Sequence, residues 1–141
     1  MKKTTDSRSG APQTADPSGK RPHRNQRQVG SHYEELAAEA LQAKGLRILE
    51  KNFRTRTGEI DLVARDGACL VFVEVKYRRT GICGSPEAAV NAAKQKTIMR
   101  TAALYLLLHD LPEETDCRFD VAAVSGDNRV VHYPNAFGGL N

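Results

Sequence analysis

The stretch GEIDLVARDGACLVFVEVKYRR, Gly58 to Arg79, decides how this chain folds. Two runs rich in Val, Ile, Leu and Phe, about Glu59 to Arg65 and Ala68 to Tyr77, flank Asp66-Gly67, a dipeptide favoured in tight hairpin turns. The stretch therefore reads as an antiparallel β-hairpin. Apolar residues on both faces of LVFVEVKY, Leu70 to Tyr77, mark the second strand as a central one, covered on both sides. A two-residue turn at Asp66-Gly67 pairs Arg65 with Ala68, which sets Glu59 opposite Glu74 and Asp61 opposite Phe72. Side chains two apart share a face, so Glu59, Asp61, Glu74 and Lys76 project from one side of the ribbon. A one-residue slip would separate them.

An acid in a covered strand is costly, and neighbouring acids repel unless something cationic lies between them. Lys76 can neutralise one such charge but not three, and a divalent cation is the natural missing partner. Carboxylates with a backbone carbonyl are hard oxygen ligands that suit Mg²⁺ or Mn²⁺. A lysine beside such an ion can orient an attacking water and stabilise charge building on a phosphate. The plainer alternative is a strand with one solvent-facing side, with Glu74 and Lys76 forming a surface ion pair of little worth.

Outward from the hairpin, GSHYEELAAEALQAK, Gly30 to Lys44, places Tyr33, Leu36, Ala37, Ala40 and Leu41 at helical spacing, with Gly45 as a stop. LRILEKNF supplies a short strand, and Arg54 to Thr57 a polar turn into Gly58. After the hairpin, Ser85-Pro86 reads as an N-cap with proline at the first helical position, opening a helix to about His109. Its helical-period positions are Val90, Ala93, Thr97, Leu104, Tyr105 and Leu108, and Pro112 ends it. Cys117 to Val124 and Arg129 to Tyr133 read as strands joined through Gly126-Asp127-Asn128. The predicted order is αβββαββ, an α/β domain.

Residues 1–28 contain no Val, Ile, Leu, Phe, Tyr or Trp and are rich in Pro, Gly, Ser, Thr and Gln, so they read as a disordered tail before one domain over 29–141. The tail carries Lys2, Lys3, Arg8, Lys20, Arg21, Arg24 and Arg27 against Asp6 and Asp16, a net of +5. The whole chain is +4, so the domain itself is −1 and the tail supplies the basic character. A basic arm fits either non-specific attraction to nucleic acid or a solubilising extension. No secretory signal and no run of 18 apolar residues is present, and a cytoplasmic location is the expectation. Three cysteines without a C-x-x-C argue against a disulfide framework or a structural zinc site, and the four histidines make no ligand spacing.

The pattern G-E-I-D-L at Gly58 to Leu62, followed by F-V-E-V-K at Phe72 to Lys76, resembles the D…E-x-K signature of the restriction-endonuclease-like, or PD-(D/E)xK, nucleases. More narrowly, the chain resembles the YraN (UPF0102) family, which is similar to archaeal Holliday junction resolvases. The resemblance also takes in E-x-x-A at Glu34 to Ala37, G-L-R-I-L-E-K-N at Gly45 to Asn52, Ala89-Val90 with Lys94, and R-F-D-V at Arg118 to Val121. It departs from the pattern at Tyr33, where glycine is expected before the helix Glu. The resemblance implies a restriction-endonuclease-like mixed central sheet flanked by helices and metal-dependent hydrolysis of DNA, with branched DNA as a candidate substrate. By position it implies Asp61 and Glu74 as metal-binding carboxylates with the Val75 carbonyl, Glu34 as a further acid at the metal, and Lys76 as the catalytic lysine. Glu59 matches the family's G-E-x-D without an assigned role.

Arg54, Arg56, Arg78, Arg79, Lys94, Lys96 and Arg100 are the candidate phosphate contacts, since the acids alone would repel DNA. Symmetric cutting of a junction would need a homodimer. Two rivals stand beside the nuclease: a nucleic-acid-binding module that keeps the fold without turnover, and an interaction protein whose acidic hairpin docks a basic partner.

Overall fold

The computed structural model describes residues 22–79 and 89–138, with side chains from Ser31 onward. Helix α1 spans Pro22–Ala43, followed by β1 (Arg47–Arg54), β2 (Glu59–Asp66), β3 (Cys69–Arg78), α2 (Ala92–Leu108), β4 (Cys117–Ser125) and β5 (Val130–Phe137). The sheet, α2 and the sheet-packing part of α1 lie within the unit His32–Asn141. The five strands lie in the order β1-β2-β3-β4-β5, antiparallel throughout except for the parallel β3–β4 pair. This is the expected αβββαββ arrangement, an α/β fold with a mixed sheet, consistent with a restriction-endonuclease-like domain. The parallel pair follows from the connection through α2, since parallel strands need a long crossover.

Strand β3 is central, and its residues divide between two cores. Leu70 and Phe72 pack with Ile98, Ala102 and Tyr105 of α2, while Val71 and Val73 pack with Ala37, Ala38 and Leu41 of α1. All four β3 side chains are at most 1% exposed. A helix therefore covers each face, and the continuous apolar run at 70–73 is what a strand buried on both sides requires. Among the described residues, no helix is long and apolar enough to cross a membrane.

Several expectations are corrected. The hairpin turn is Gly67-Ala68, with Asp66 paired to Cys69, Arg65 to Leu70 and Leu62 to Val73. Only Gly67 of the two turn residues has positive φ, at +61°, the pattern of a type II′ turn with glycine first. Asp66 is held at the end of its strand by Arg118 Nη1 at 2.9 Å. The register is displaced by two residues, so the faces are preserved but the partners change: continued by one residue, it sets Asp61 against Glu74 rather than Phe72.

Helix α1 begins at Pro22, so Pro22–Gln28 of the expected tail are helical; arginine and glutamine form helix readily without an apolar stripe, and proline suits a helix start. The expected tail over 1–21 and the Ser85-Pro86 cap lie outside the described residues. Helix α2 starts at Ala92, after an Asn91 cap whose side chain accepts from Lys94 N. Its buried stripe is Ile98, Thr101, Ala102 and Tyr105, while Leu108, one of the expected helical-period positions, is 61% exposed. At Gly58 the β1–β2 turn meets this helix closely: a Cβ there would lie 2.5 Å from Thr97 Cγ2.

Candidate active site

The β2–β3 ladder ends at Leu62↔Val73, and the next residues of both strands carry the charged groups. Beyond the last pair, the Val75 N–H donates to Asp61 Oδ2 at 2.8 Å, so a side chain takes the place of a ladder carbonyl. A neighbouring irregularity explains how Asp61 reaches it. Asn52 of β1, between the pairs Lys51↔Leu62 and Phe53↔Ile60, has φ +55°, a left-handed conformation that asparagine tolerates better than most residues. Across from it, Ile60 and Leu62 lie in opposite cores, although residues two apart in a regular strand share a face. The strand pair is twisted at Asp61.

Asp61 there meets Glu59 of its own strand and Glu34 of α1, and one oxygen from each lies within 4.8 Å of the others. Burial, and then the charge of Glu74, push the Asp61 carboxyl up to about 8; the Val75 N–H opposes this, and Glu34 and Glu59 add to it. Glu34 is also raised, by burial first, with Asn52 pulling it down through a side-chain hydrogen bond and Glu59 pushing it up. Glu59 is joined to Arg54 at 3.5 Å.

Glu74 is 6% exposed and is held by two lysines: Lys76 Nζ at 3.7 Å and Lys94 Nζ, from the first turn of α2, at 3.5 Å. The four hairpin residues expected on one face thus form two subsets. Glu34, Glu59 and Asp61 are one, and Glu74 with Lys76 and Lys94 is the other; Asp61 couples them through the charge of Glu74. Of the expected ligand set Asp61, Glu74, Val75 and Glu34, Asp61 and Glu34 converge, with Glu59 in company. Val75 is tied to Asp61 by its N–H, and Glu74 lies with the lysines.

The expected phosphate contacts are dispersed. Arg56 lies exposed in the β1–β2 turn, Lys96 and Arg100 are exposed on α2, and Arg79 is exposed beyond β3. Arg78 Nη1 donates to the Tyr77 carbonyl at 3.1 Å. Arg54 and Lys94 are engaged by acids. Sequence reasoning missed the part played by Asn52, whose one visible signal is an asparagine inside a strand-forming run, a residue depleted there.

Mutual repulsion among close carboxyls, one of them holding its proton to about pH 8, fits a site that a divalent cation would relieve, and the donors are the hard oxygens such ions take. Fold and site define a class: a mixed-sheet α/β domain with a carboxylate cluster where its central hairpin loses its ladder. The chain belongs to the uncharacterised protein family UPF0102, whose profile matches residues 33–124. It is 44% identical over 110 residues to a UPF0102 protein of Photobacterium profundum, covering 77% of this chain and 88% of that one. It is 49% identical over 100 residues to a UPF0102 protein of Lachnoclostridium phytofermentans, covering 71% and 85%. Against the UPF0102 protein YraN of Salmonella arizonae it is 45% identical over 112 residues, covering 79% and 85%.

Proposed function

We propose that this protein is a Mg²⁺- or Mn²⁺-dependent endonuclease that hydrolyses phosphodiester bonds in DNA, with branched DNA as its substrate class, acting in the cytoplasm. The observation that carries the reading is the convergence of Glu34, Glu59 and Asp61 within 4.8 Å beside Glu74, with the Asp61 carboxyl pushed up to about 8. The resemblance of G-E-I-D-L and F-V-E-V-K to the nuclease signature supports the same reading.

Asp61 and Glu34 would hold the metal with Glu59 as a third carboxylate within reach, and Glu74 and the Val75 carbonyl would complete the set that the family resemblance implies. A bound divalent ion supplies Lewis acidity, lowering the pKa of water and offsetting phosphate charge. Lys76 and Lys94 fix Glu74 and place two ammonium groups next to the acids, where they favour charge building on a phosphate oxygen. The Val75 N–H fixes the Asp61 carboxyl in place, which keeps its free oxygen available.

The test is cleavage of a four-way junction and of plain duplex, with Mg²⁺ and with Mn²⁺, by wild type, Asp61→Ala and Lys76→Ala. Metal-dependent cutting lost in both variants, with circular dichroism unchanged, is the expected result. Equal cutting by both variants, or no metal dependence in the wild type, sinks the reading.

A further inference from the structure

Among the described residues, the ring contacts form two groups. Phe53, Phe72, Tyr105, Phe119 and Phe137, with His109 stacked on Tyr105, contact one another in or against the core under α2. The other group is Tyr33 of α1 and Tyr77 of β3, stacked with centroids 4.6 Å apart and planes 9° from parallel, with His32 tilted against Tyr33 at 5.5 Å. These rings lie on the α1 side, where the buried core is wholly aliphatic, built from Ala, Leu and Val. Tyr33 packs against its edge and Tyr77 is 40% exposed.

Their position is specific. Tyr33 is the chain neighbour of Glu34, and Tyr77 of Lys76, so each of the two elements that bring charge to the site also presents a ring one residue away. Helix α1 turns Glu34 toward Asn52 and Asp61, and Tyr33 toward Tyr77. Cations flank the rings in the chain: Lys76 before Tyr77, and Arg78 and Arg79 after it. Acids repel the backbone of a nucleic acid, whereas an exposed ring face holds a base whatever the charge nearby, because every base has a π-face.

We propose that the Tyr33–Tyr77 stack is a platform for one unpaired nucleobase, so that the site takes nucleic acid with a base out of the duplex stack, as at a branch point or single-stranded flap. This rests on the nucleic-acid reading above and names its substrate class. The neighbouring arginines take the adjoining phosphates, and the platform fixes which nucleotide lies beside the carboxylates.

Binding without metal tests it, since no cleavage is then needed. The full chain in EDTA is titrated by anisotropy against a forked DNA carrying 2-aminopurine at the unpaired branch position, and against the same DNA with an abasic residue there. The base-bearing fork is expected to bind roughly five- to a hundredfold more tightly, with quenched 2-aminopurine fluorescence. Tyr77→Phe keeps the difference. Tyr77→Leu, which still covers the aliphatic core, removes both the difference and the quenching while its thermal melt stays cooperative. Equal binding of both forks by wild type, or a difference that survives in Tyr77→Leu, overturns the platform alone if metal-dependent cleavage persists. Failure to bind either fork or duplex overturns the nucleic-acid reading with it.

Discussion

Asp61 and Asp120 are aspartates in strands of one sheet, and their surroundings treat their charge in opposite ways. Asp120 is fully buried, yet Arg118 reaches it through Nε at 3.0 Å and Nη2 at 3.2 Å, His132 Nε2 at 2.7 Å and the Asn135 N–H at 2.9 Å. Burial raises its carboxyl, but the bonds from His132, Arg118 and Asn135 outweigh that, and the net shift is downward. Lys44 Nζ lies 2.9 Å from His132 Nδ1, the ring nitrogen that does not contact Asp120. Asp61 has one N–H and three acids around it, and is raised. Burial alone therefore does not decide which way a strand aspartate is shifted; the balance of donors against like charges does.

The comparison is broken most directly by removing each acid. Asp120→Ala strands Arg118, His132 and the Asn135 N–H, and is expected to destabilise the fold by about 3–5 kcal/mol in urea unfolding. Asp61→Asn removes a strained charge and is expected to stabilise the metal-free protein at pH 8 by an amount on the order of a few kcal/mol, while abolishing Mn²⁺ binding measured by calorimetry. Destabilisation by both would erase the contrast.

The pH dependences should also be opposed. The folded state keeps the Asp61 proton up to about 8, whereas the unfolded chain releases it near 3.8, so this group lowers stability progressively as pH rises from about 4 to about 8. Asp120, whose carboxyl is depressed, contributes stability above 3.8 that is lost as pH falls through its lowered value. Urea midpoints of wild type and Asp61→Asn between pH 5 and 8 check the first: the downward slope should flatten in the variant.

Smaller effects sharpen the geometry. Gly58→Ala forces a methyl against Thr97 of α2 and should cost about 1–3 kcal/mol, shifting the helix whose first turn carries Lys94. Asn52→Ala should cost about 1 kcal/mol for its left-handed backbone, whereas Asn52→Gly keeps that conformation. Both lose the hydrogen bond that lowers Glu34, so its carboxyl should titrate higher by ¹³C NMR in either variant; an unmoved Glu34 would separate Asn52 from the site.

Much of the fold was legible because its signals are local. The apolar run at 70–73 marks a strand covered on both faces, and glycine at 67 marks a tight turn. The same locality misled at Leu108, which fits the helical period but is 61% exposed, and Asn91, the residue that caps α2, carried no weight in the reading.

The sequence by itself determined that acids and a lysine stand at alternate positions in two paired strands that want to be buried, and a turn moved by two residues leaves that alternation intact. Only the tertiary structure decided which charges meet. Glu34 arrives from α1, Lys94 from α2, and Asn52 twists the strand pair at Asp61, and none of these distances is a property of neighbouring residues. The field at a carboxyl sums over groups brought near by folding, so Asp61 and Asp120 look alike in the sequence and behave oppositely in the protein.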